Sequence, residues 1–563
     1  MGRAGNVKYI FITGGVISGI GKGIITASTG LLLQNLGFKV SILKADMYLN
    51  LDAGTMNPLE HGEVFVTEDG METDQDLGHY ERFLNKNLLR HNYITMGQIY
   101  YDVISQERQM NFAGKCVEGN VHIPEEIIRR IKEAAKMDAT DTMLVEVGGT
   151  VGEYQNVMFF EAIRKLKQRE PNNVFIIHLV YLPVPEFLGE MKSKPAQASI
   201  YELYKLGLQP TFVICRSKDT VDKKRKDTIS FNTGVKADHI FSAPDVSTIY
   251  EIPAVLKAQG YDKKLLTELG KSKPKKEDKS WFKFVKSIDG NKKEVTIAIT
   301  GKYFTSGNFN LKDSYVCVIE AIKHAAWKMG IKANIEWFDV ENMEQEKNRH
   351  QMEKSLKKCQ GIIVPQGWGS RGVEGKLKVV EFARKKKIPY LGLCFGMQMA
   401  VIEYARNVLG YKDANSEEVN PKTKHLMIHI MPEQKELLKN KKYGGTIRLG
   451  AWPCKLDRNT VLYNSYKKYS PHRIDKENIV MERHRHRYEV NNLYNDQLVK
   501  AGLVLSGKSP DGHLVESIEL PKTVHPFFVG TQFHPEYKSR PLDPHPAFIG
   551  LLNAALKRKN NSH

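Results

Sequence analysis

Two stretches of this 563-residue chain carry residue types that could act on substrates. Thr13-Gly14-Gly15-Val16-Ile17-Ser18-Gly19-Ile20-Gly21-Lys22-Gly23 follows an apolar run. Its glycines let backbone N–H groups converge on phosphate oxygens, and Lys22 brings a positive charge to a helix N-terminus. Far downstream, Gly392-Leu393-Cys394-Phe395-Gly396 has the spacing of a nucleophile elbow with sulfur in place of hydroxyl, and His534-Pro535-Glu536 offers a base and a carboxylate to orient it. A thiol hydrolase alone needs no phosphate cradle, and a nucleotide-triphosphate enzyme alone needs no activated cysteine. Their coexistence implies coupled chemistry, most naturally a glutamine-dependent, ATP-driven amidation.

The phosphate loop departs from the standard spacing. Five residues separate Gly15 from Gly21, and Gly23 stands where a Ser or Thr hydroxyl would hold Mg²⁺. A metal therefore needs carboxylates from elsewhere. Asp76 in Glu72-Thr73-Asp74-Gln75-Asp76 and Glu146 at the end of a predicted strand are the candidates, because Mg²⁺ takes a few oxygens plus phosphate. These acids suit a solvated loop equally well. At the elbow, a thiolate at the start of a helix gains from the helix dipole and from an adjacent imidazole. His534 and Glu536 share a side if the chain is extended there, although Pro535 leaves their orientation open. Backbone N–H groups of Phe395 and of Gln366 or Gly367 would hold the oxyanion. In Arg483-His484-Arg485-His486-Arg487 the three guanidinium groups would repel a metal cation and suit a carboxylate or phosphate.

These residues need rigid elements to position them. Short β-branched or aromatic runs at Tyr9 to Ile12, Val40 to Leu43, Thr142 to Val147, Val174 to Val180, Phe212 to Ile214 and His239 to Phe241 alternate with helical patterns. That alternation predicts an α/β fold with a parallel sheet. A second such series includes Val295 to Ile299, Gly361 to Val364, Pro389 to Leu393 and Phe527 to Gly530. Between them, Lys271 to Lys279 is charged and almost free of apolar residues, as a solvated linker would be. The expected organisation is a P-loop-like synthetase domain over 1–270, a linker over 271–293 and a class I glutaminase domain over 294–563.

The balance of 83 Lys+Arg against 64 Asp+Glu points to anionic partners. The basic residues are scattered in short runs without an aromatic platform, which argues against nucleic acid. Six cysteines form no C-x-x-C pair, so neither a zinc site nor a disulfide framework is indicated and a reducing compartment fits. No leader pattern and no apolar run of membrane-spanning length is present. A cytoplasmic protein without membrane contact is expected.

The strings Gly62-Glu63-Val64-Phe65-Val66-Thr67-Glu68-Asp69-Gly70, Gly78-His79-Tyr80-Glu81-Arg82-Phe83, Gly148-Gly149-Thr150-Val151-Gly152, the elbow and Arg483 through Asn491 together resemble the CTP synthase family over nearly the whole chain. The resemblance implies that Cys394, with His534 and Glu536, frees ammonia from glutamine held by Gly367, Phe395, Gln398, Glu418 and Arg487. It implies ATP at Ser18, Gly19, Ile20, Gly21, Lys22, Gly23, Lys44 and Asp76, with Mg²⁺ on Asp76 and Glu146. UTP or the product CTP would meet Ser18, Glu153, Gln155, Lys192, Ser193, Lys194, Pro195, Ala196, Gln197 and Asp227. Pro58, His61 and Val64 resemble the lining of an ammonia tunnel. GTP activation, a homotetramer and filament formation are further family properties. The chain departs from the family at several positions: Ala196 and Ala198 replace Thr and His, and Asp227 stands where the family has a phosphate-binding Lys. Gln366 replaces the first glycine of a Pro-Gly-Gly loop. A side chain there is tolerated only if φ is negative.

Overall fold

The computed structural model describes residues 7–57, 62–187, 189–270, 278–288, 293–302, 305–306, 309–310, 312–431 and 447–561. The chain forms two compact units: residues 1–51 with 79–285, and residues 52–78 with 286–563. The segment 52–78 thus packs with the carboxyl-terminal part of the sequence although it lies within the amino-terminal half.

The first unit holds a seven-stranded sheet in the order Tyr93–Thr95, Val40–Asp46, Thr142–Val147, Lys8–Gly14, Val174–Tyr181, Phe212–Ser217, Ile240–Pro244. Every pairing is parallel. Alternate residues Tyr9, Phe11, Leu43, Met143 and Val145 pack into one core with Ile99, Ile127 and Phe160 of the covering helices. The intervening Ile10, Ile12, Ile42 and Leu144 are equally buried on the other face. Burial on both faces explains why these strands read as near-continuous apolar runs. Each of the six predicted runs falls on a strand of this sheet, except that His239 of the last run closes a short 3₁₀ turn before the strand begins at Ile240. The edge strand Tyr93–Thr95 is too short to give a pattern of its own.

The second unit is built on a nine-stranded sheet. Its parallel half runs Lys332–Asp339, Glu294–Gly301, Gly361–Val364, Tyr390–Leu393, Phe528–Thr531. It continues antiparallel through Val515–Glu519, Val504–Lys508, Arg448–Leu456 and Ile479–His486. Two apolar cores, one around Met397, Val401 and Phe528 and one around Ile322, Phe548 and Leu552, cover the faces.

Residues 271–277 of the expected linker lie outside the described residues. Downstream the chain forms the helix Ser280–Ile288, whose Trp281 is buried against Phe83 and Tyr250 at centroid distances of 5.0 and 5.7 Å. Its indole Nε1 donates to the Tyr250 carbonyl at 3.2 Å. Trp281→Ala empties this aromatic cluster and is expected to cost about 3–5 kcal/mol, read as a lower urea midpoint in unfolding followed by circular dichroism.

Candidate functional site

Cys394 joins the strand Tyr390–Leu393 to the helix Phe395–Asn407 with φ at 49°, a left-handed conformation that costs energy for a residue with a side chain. The flanking glycines permit it. A Cβ on Gly392 would lie 2.6 Å from the Tyr390 hydroxyl, and one on Gly396 would lie 2.0 Å from the Val364 carbonyl oxygen. The Cys394 N–H donates to the Thr531 carbonyl at 2.7 Å, and the Cys394 carbonyl accepts from Gln398 N–H at 3.2 Å. Sγ sits 3.9 Å from the Arg485 carbonyl oxygen and 3.6 Å from Gln532 Nε2.

Pro535 does not separate the base from its carboxylate: His534 Nδ1 is 2.7 Å from Glu536 Oε1. The imidazole stacks on Tyr537 with centroids 4.9 Å apart and an interplanar angle of 10°. Its Nε2 has no partner of ordinary hydrogen-bond geometry, but Cys394 lies near enough to influence it. Burial is the largest influence on the imidazole and opposes its charge. Glu536 and Cys394 together outweigh burial and push the pKa up to about 10.

Cys394 and His534 border a cavity that is also lined by Gly367, Phe395, Gln398, Glu418 and Arg487, all five of the residues expected to hold glutamine. Glu418 Oε1 accepts from Gly369 N–H at 2.6 Å. Burial raises the Glu418 pKa against the pull of Lys302 and Arg487. Gln366 is not among the residues of positive φ, so the side chain that replaces glycine is accommodated without backbone strain. Lys302 and Lys376 were not foreseen. Their Nζ atoms stand 5.4 and 5.1 Å from the Phe395 ring centroid. Lys376 donates to the Pro365 carbonyl at 2.8 Å, and Lys302 donates to the carbonyls of Gly369 and Arg371 at 3.2 and 3.0 Å. Burial lowers both lysines, Lys302 to about 8 and Lys376 well below its usual range. They hold the Pro365–Arg371 loop by its carbonyls, while the Gly369 N–H of the same loop is taken by Glu418. A lone lysine just after a strand, as Lys302, or within a helix, as Lys376, gives no sequence signal for such a role.

The strand Ile479–His486 connects this site to the segment 52–78 within the same unit. Arg483 Nε pairs with Glu68 Oε2 at 2.8 Å and its Nη1 donates to the Val66 carbonyl at 3.0 Å, while Arg485 Nε pairs with Glu72 Oε1 at 2.8 Å. Burial pushes the Glu68 carboxyl up, but Arg483 and Lys538 outweigh it and hold Glu68 below the usual range. The anion expected for the Arg-His repeat is therefore, at two of its three arginines, a carboxylate of the chain itself. On the opposite face His484 and His486 contact each other at 2.8 Å. The carbonyls of the same strand reach His534 and Cys394: Arg483 O accepts from His534 N–H at 2.8 Å, and Arg485 O lies 3.9 Å from Cys394 Sγ. Val64 is buried and its carbonyl accepts from the Tyr537 hydroxyl at 3.0 Å. Glu63 accepts from Cys317 N–H at 2.7 Å and Gln366 Nε2 at 2.8 Å. Pro58 and His61 lie outside the described residues.

The first unit carries a second cluster. After the strand Lys8–Gly14, Gly19 and Gly21 take φ of 70° and 96°, and Lys22 opens the helix Lys22–Asn35. A Cβ on Gly15 would meet Ser199 Oγ at 1.6 Å. Ser18 and Gly19 are exposed, Ile20 and Gly23 are buried, and Lys22 Nζ reaches the Gly149 carbonyl at 2.5 Å. On neighbouring strands Lys44 Nζ bonds Glu146 Oε1 at 3.0 Å and lies 3.7 Å from Asp46 Oδ1, while the Tyr80 hydroxyl donates to the other Glu146 oxygen. Asp76 opens the helix Asp76–Leu84. Among the described residues no three His, Cys, Asp or Glu side chains form a metal cage. Glu146 and Asp76 are each hard oxygen donors of the kind that Mg²⁺ takes together with phosphate and water.

Next to the loop, His178 links Thr13 Oγ1 and Ser199 Oγ, each at 2.8 Å, and burial pushes its pKa down to about 3. Lys192 and Ser193 precede the helix Lys194–Lys205, in which Pro195 occupies the first turn, Ala196 is buried and Gln197 Nε2 bonds Ser193 Oγ at 3.1 Å. Glu153 accepts from Thr150 N–H at 2.9 Å, and Gln155 lines an apolar hollow with Met47 and Tyr48. Asp227 is exposed on the helix Lys223–Thr233, whereas Lys226 turns to Gln259 at 3.4 Å.

Residues 8–270 match the family described as CTP synthase N-terminus, and residues 310–554 match glutamine amidotransferase class-I. A CTP synthase from Clostridium kluyveri is 44% identical over 556 residues, spanning 99% of this chain and 99% of its own. The chain belongs to the CTP synthase family. A CTP synthase from Sulfolobus acidocaldarius is 46% identical over 97% of this chain and 99% of its own length. The Trypanosoma brucei CTPS glutaminase domain with bound acivicin is 38% identical, covers 47% of this chain and 94% of that one, and superposes with a TM-score of 0.41.

A raised His534 pKa means that the imidazolium contributes stability in full below the unfolded value near 6.5 and loses it as pH rises through about 10. Glu536→Gln removes the principal counter-charge. The stability gap between parent and variant is expected to be widest at pH 6 and to shrink by pH 10, read from urea midpoints at a series of pH values. Arg485→Met strips Glu72 of its buried partner and is expected to destabilise the second unit by about 3–5 kcal/mol. The double variant Arg485→Met with Glu72→Leu should recover much of that loss, checked by thermal unfolding.

Proposed function

We propose that the chain makes CTP from UTP, using ATP to activate the pyrimidine and glutamine as the nitrogen source. What supports this reading is that Cys394, His534, Glu418 and Arg487 border one cavity in a chain that also carries the glycine-rich loop and Lys22. His534 takes the thiol proton, and the Cys394 thiolate attacks the carboxamide carbon of glutamine. Glu418 and Arg487 receive the α-amino and α-carboxylate ends by charge. Electron density moves to the amide oxygen, which accepts from the N–H groups of Phe395 and of Gln366 or Gly367. The imidazolium returns its proton to the departing nitrogen, leaving ammonia and a glutamyl thioester. Water, deprotonated by His534, then releases glutamate and restores the thiol.

In the synthetase reaction ATP phosphorylates O4 of UTP, and ammonia displaces phosphate at C4 to give CTP, ADP and phosphate. Residues 18–23 and Lys44 would receive the ATP phosphates. Asp76 and Glu146 would hold Mg²⁺, which when bound offsets phosphate charge. UTP would lie against Glu153, Gln155, Lys192–Gln197 and the region of Asp227. Ammonia would pass Pro58, His61 and Val64, the last of which is in contact with Tyr537 behind the catalytic imidazole. The reading extends to GTP as activator, a homotetramer able to form filaments, and a cytoplasmic enzyme without nucleic-acid partners. Among the described residues no helix is long and apolar enough to cross a membrane.

CTP formation measured with glutamine and separately with ammonium tests the division of labour. Cys394→Ala is expected to lose the glutamine-dependent rate by at least about a hundredfold and to keep the ammonia-dependent rate. Loss of both in a folded variant would contradict the scheme.

A further inference from the structure

A groove in the second unit encloses about 990 Å³ and shares no lining residue with the cavity at Cys394. Its floor is apolar, formed by Val461, Val504, Phe527 and Ala554. Around it stand Lys387, Arg458, Lys468, Lys522, Lys557 and Arg558. The one acid in the lining, Glu519, is buried and turns its two oxygens to the N–H groups of Val461 and Leu462, at 2.6 and 3.1 Å. It caps a helix and does not answer the cations of the rim.

Elsewhere on this unit cations meet carboxylates, as the exposed Lys385 meets Glu381 and the partly buried Arg406 meets Glu374. Among the described residues the side chains of Lys387, Arg458, Lys468, Lys522 and Lys557 form no such pair. Like charges gathered on one rim repel each other, and an anion between them relieves that repulsion. One of them also sits on unfavourable backbone. Lys387 follows the helix Val373–Lys385 with φ at 51°, the position at which helices usually place glycine because a side chain there is strained.

We propose that this groove binds a small polyanion with an apolar or aromatic body, a phosphorylated metabolite in chemical class, at a site separate from the cavity at Cys394. The volume lies at the upper end of ordinary ligand pockets. The apolar floor takes the body of the ligand, and the rim takes its charge.

Isothermal titration of inorganic tripolyphosphate into the full chain at low salt tests this, the groove's contribution being the part of the isotherm that a charge-reversed rim loses. Lys522→Glu combined with Lys557→Glu should weaken that component at least tenfold, with far-UV circular dichroism and basal CTP formation unchanged. Lys387→Gly separates ligand binding from structure. It should raise the melting temperature by relieving the left-handed lysine, yet weaken tripolyphosphate severalfold. Identical isotherms for parent and both variants would overturn the proposal. So would a double variant that loses affinity for a short DNA duplex while keeping its affinity for tripolyphosphate, since the rim would then serve nucleic acid.

Discussion

The pairing of Arg483 with Glu68 and of Arg485 with Glu72 is the constraint on which the glutaminase site rests. Arg483 has no exposed surface, and an ionised guanidinium in that position is tolerated only with close counter-charges and hydrogen bonds. Glu68, Val66 O and Glu72 supply them. Such pairs add little net stability compared with apolar side chains of the same size. Their value lies in register, because a one-residue slip of the strand would send both guanidinium groups to the face occupied by His484 and His486. The carbonyls of residues 483 and 485 would move with them, and those are the groups in contact with His534 N–H and Cys394 Sγ. The hairpin of residues 65–73 and the catalytic pair are therefore two sides of one strand.

That arrangement gives segment 52–78 a physical route to the glutaminase chemistry. Glu63 bonds Gln366 at the start of the Pro365–Arg371 loop, and Val64 holds the Tyr537 hydroxyl while the Tyr537 ring stacks on His534. A shift in this segment would be felt at the oxyanion loop, the base and the nucleophile together. Lys302 and Lys376 act from the other side, fixing the loop by its carbonyls. The Pro365–Arg371 loop is thus held from two directions, the kind of rigidity that electrostatic preorganisation requires.

The parallel strands were legible in the sequence because burial on both faces makes runs such as Val40–Asp46 and Val174–Tyr181 continuously apolar. Cys394 was legible because the elbow needs small residues at 392 and 396, where any Cβ would strike Tyr390 or Val364. The antiparallel half of the second sheet was not. In Ile479–His486 one face is buried throughout and the other is exposed at Met481, but residues 482–486 are Glu-Arg-His-Arg-His, so the period of two is carried by charge pairing and the hydropathy pattern is silent. The same cause hid the affiliation of residues 52–78, whose partners are arginines more than 400 positions away. The helix Ser280–Ile288 was obscured by the charged residues that precede it, although Trp281 anchors it. Gln366 looked like a hazard in a glycine loop. With a negative φ, its backbone behaves as glycine would and its side chain gains Glu63.

Burial alone does not decide whether a histidine carries charge. His178, His484, His486, His525 and His545 are all buried, and in each burial is the largest influence and lowers the pKa. They stay neutral and serve as hydrogen-bond links. His534 is as deeply buried and feels the same penalty, yet it moves the other way because Glu536 lies 2.7 Å from Nδ1 and the Cys394 sulfur lies on its far side. The decisive variable is a counter-charge on each side of one ring. A histidine poised in this way can hold a proton beside a thiolate and release it to a leaving nitrogen, which its neutral neighbours cannot do. The two-residue step from His534 to Glu536 matters for this reason: the short helical turn Pro535–Lys538 folds the carboxylate back beneath its own imidazole, and the base needs no carboxylate from a distant element.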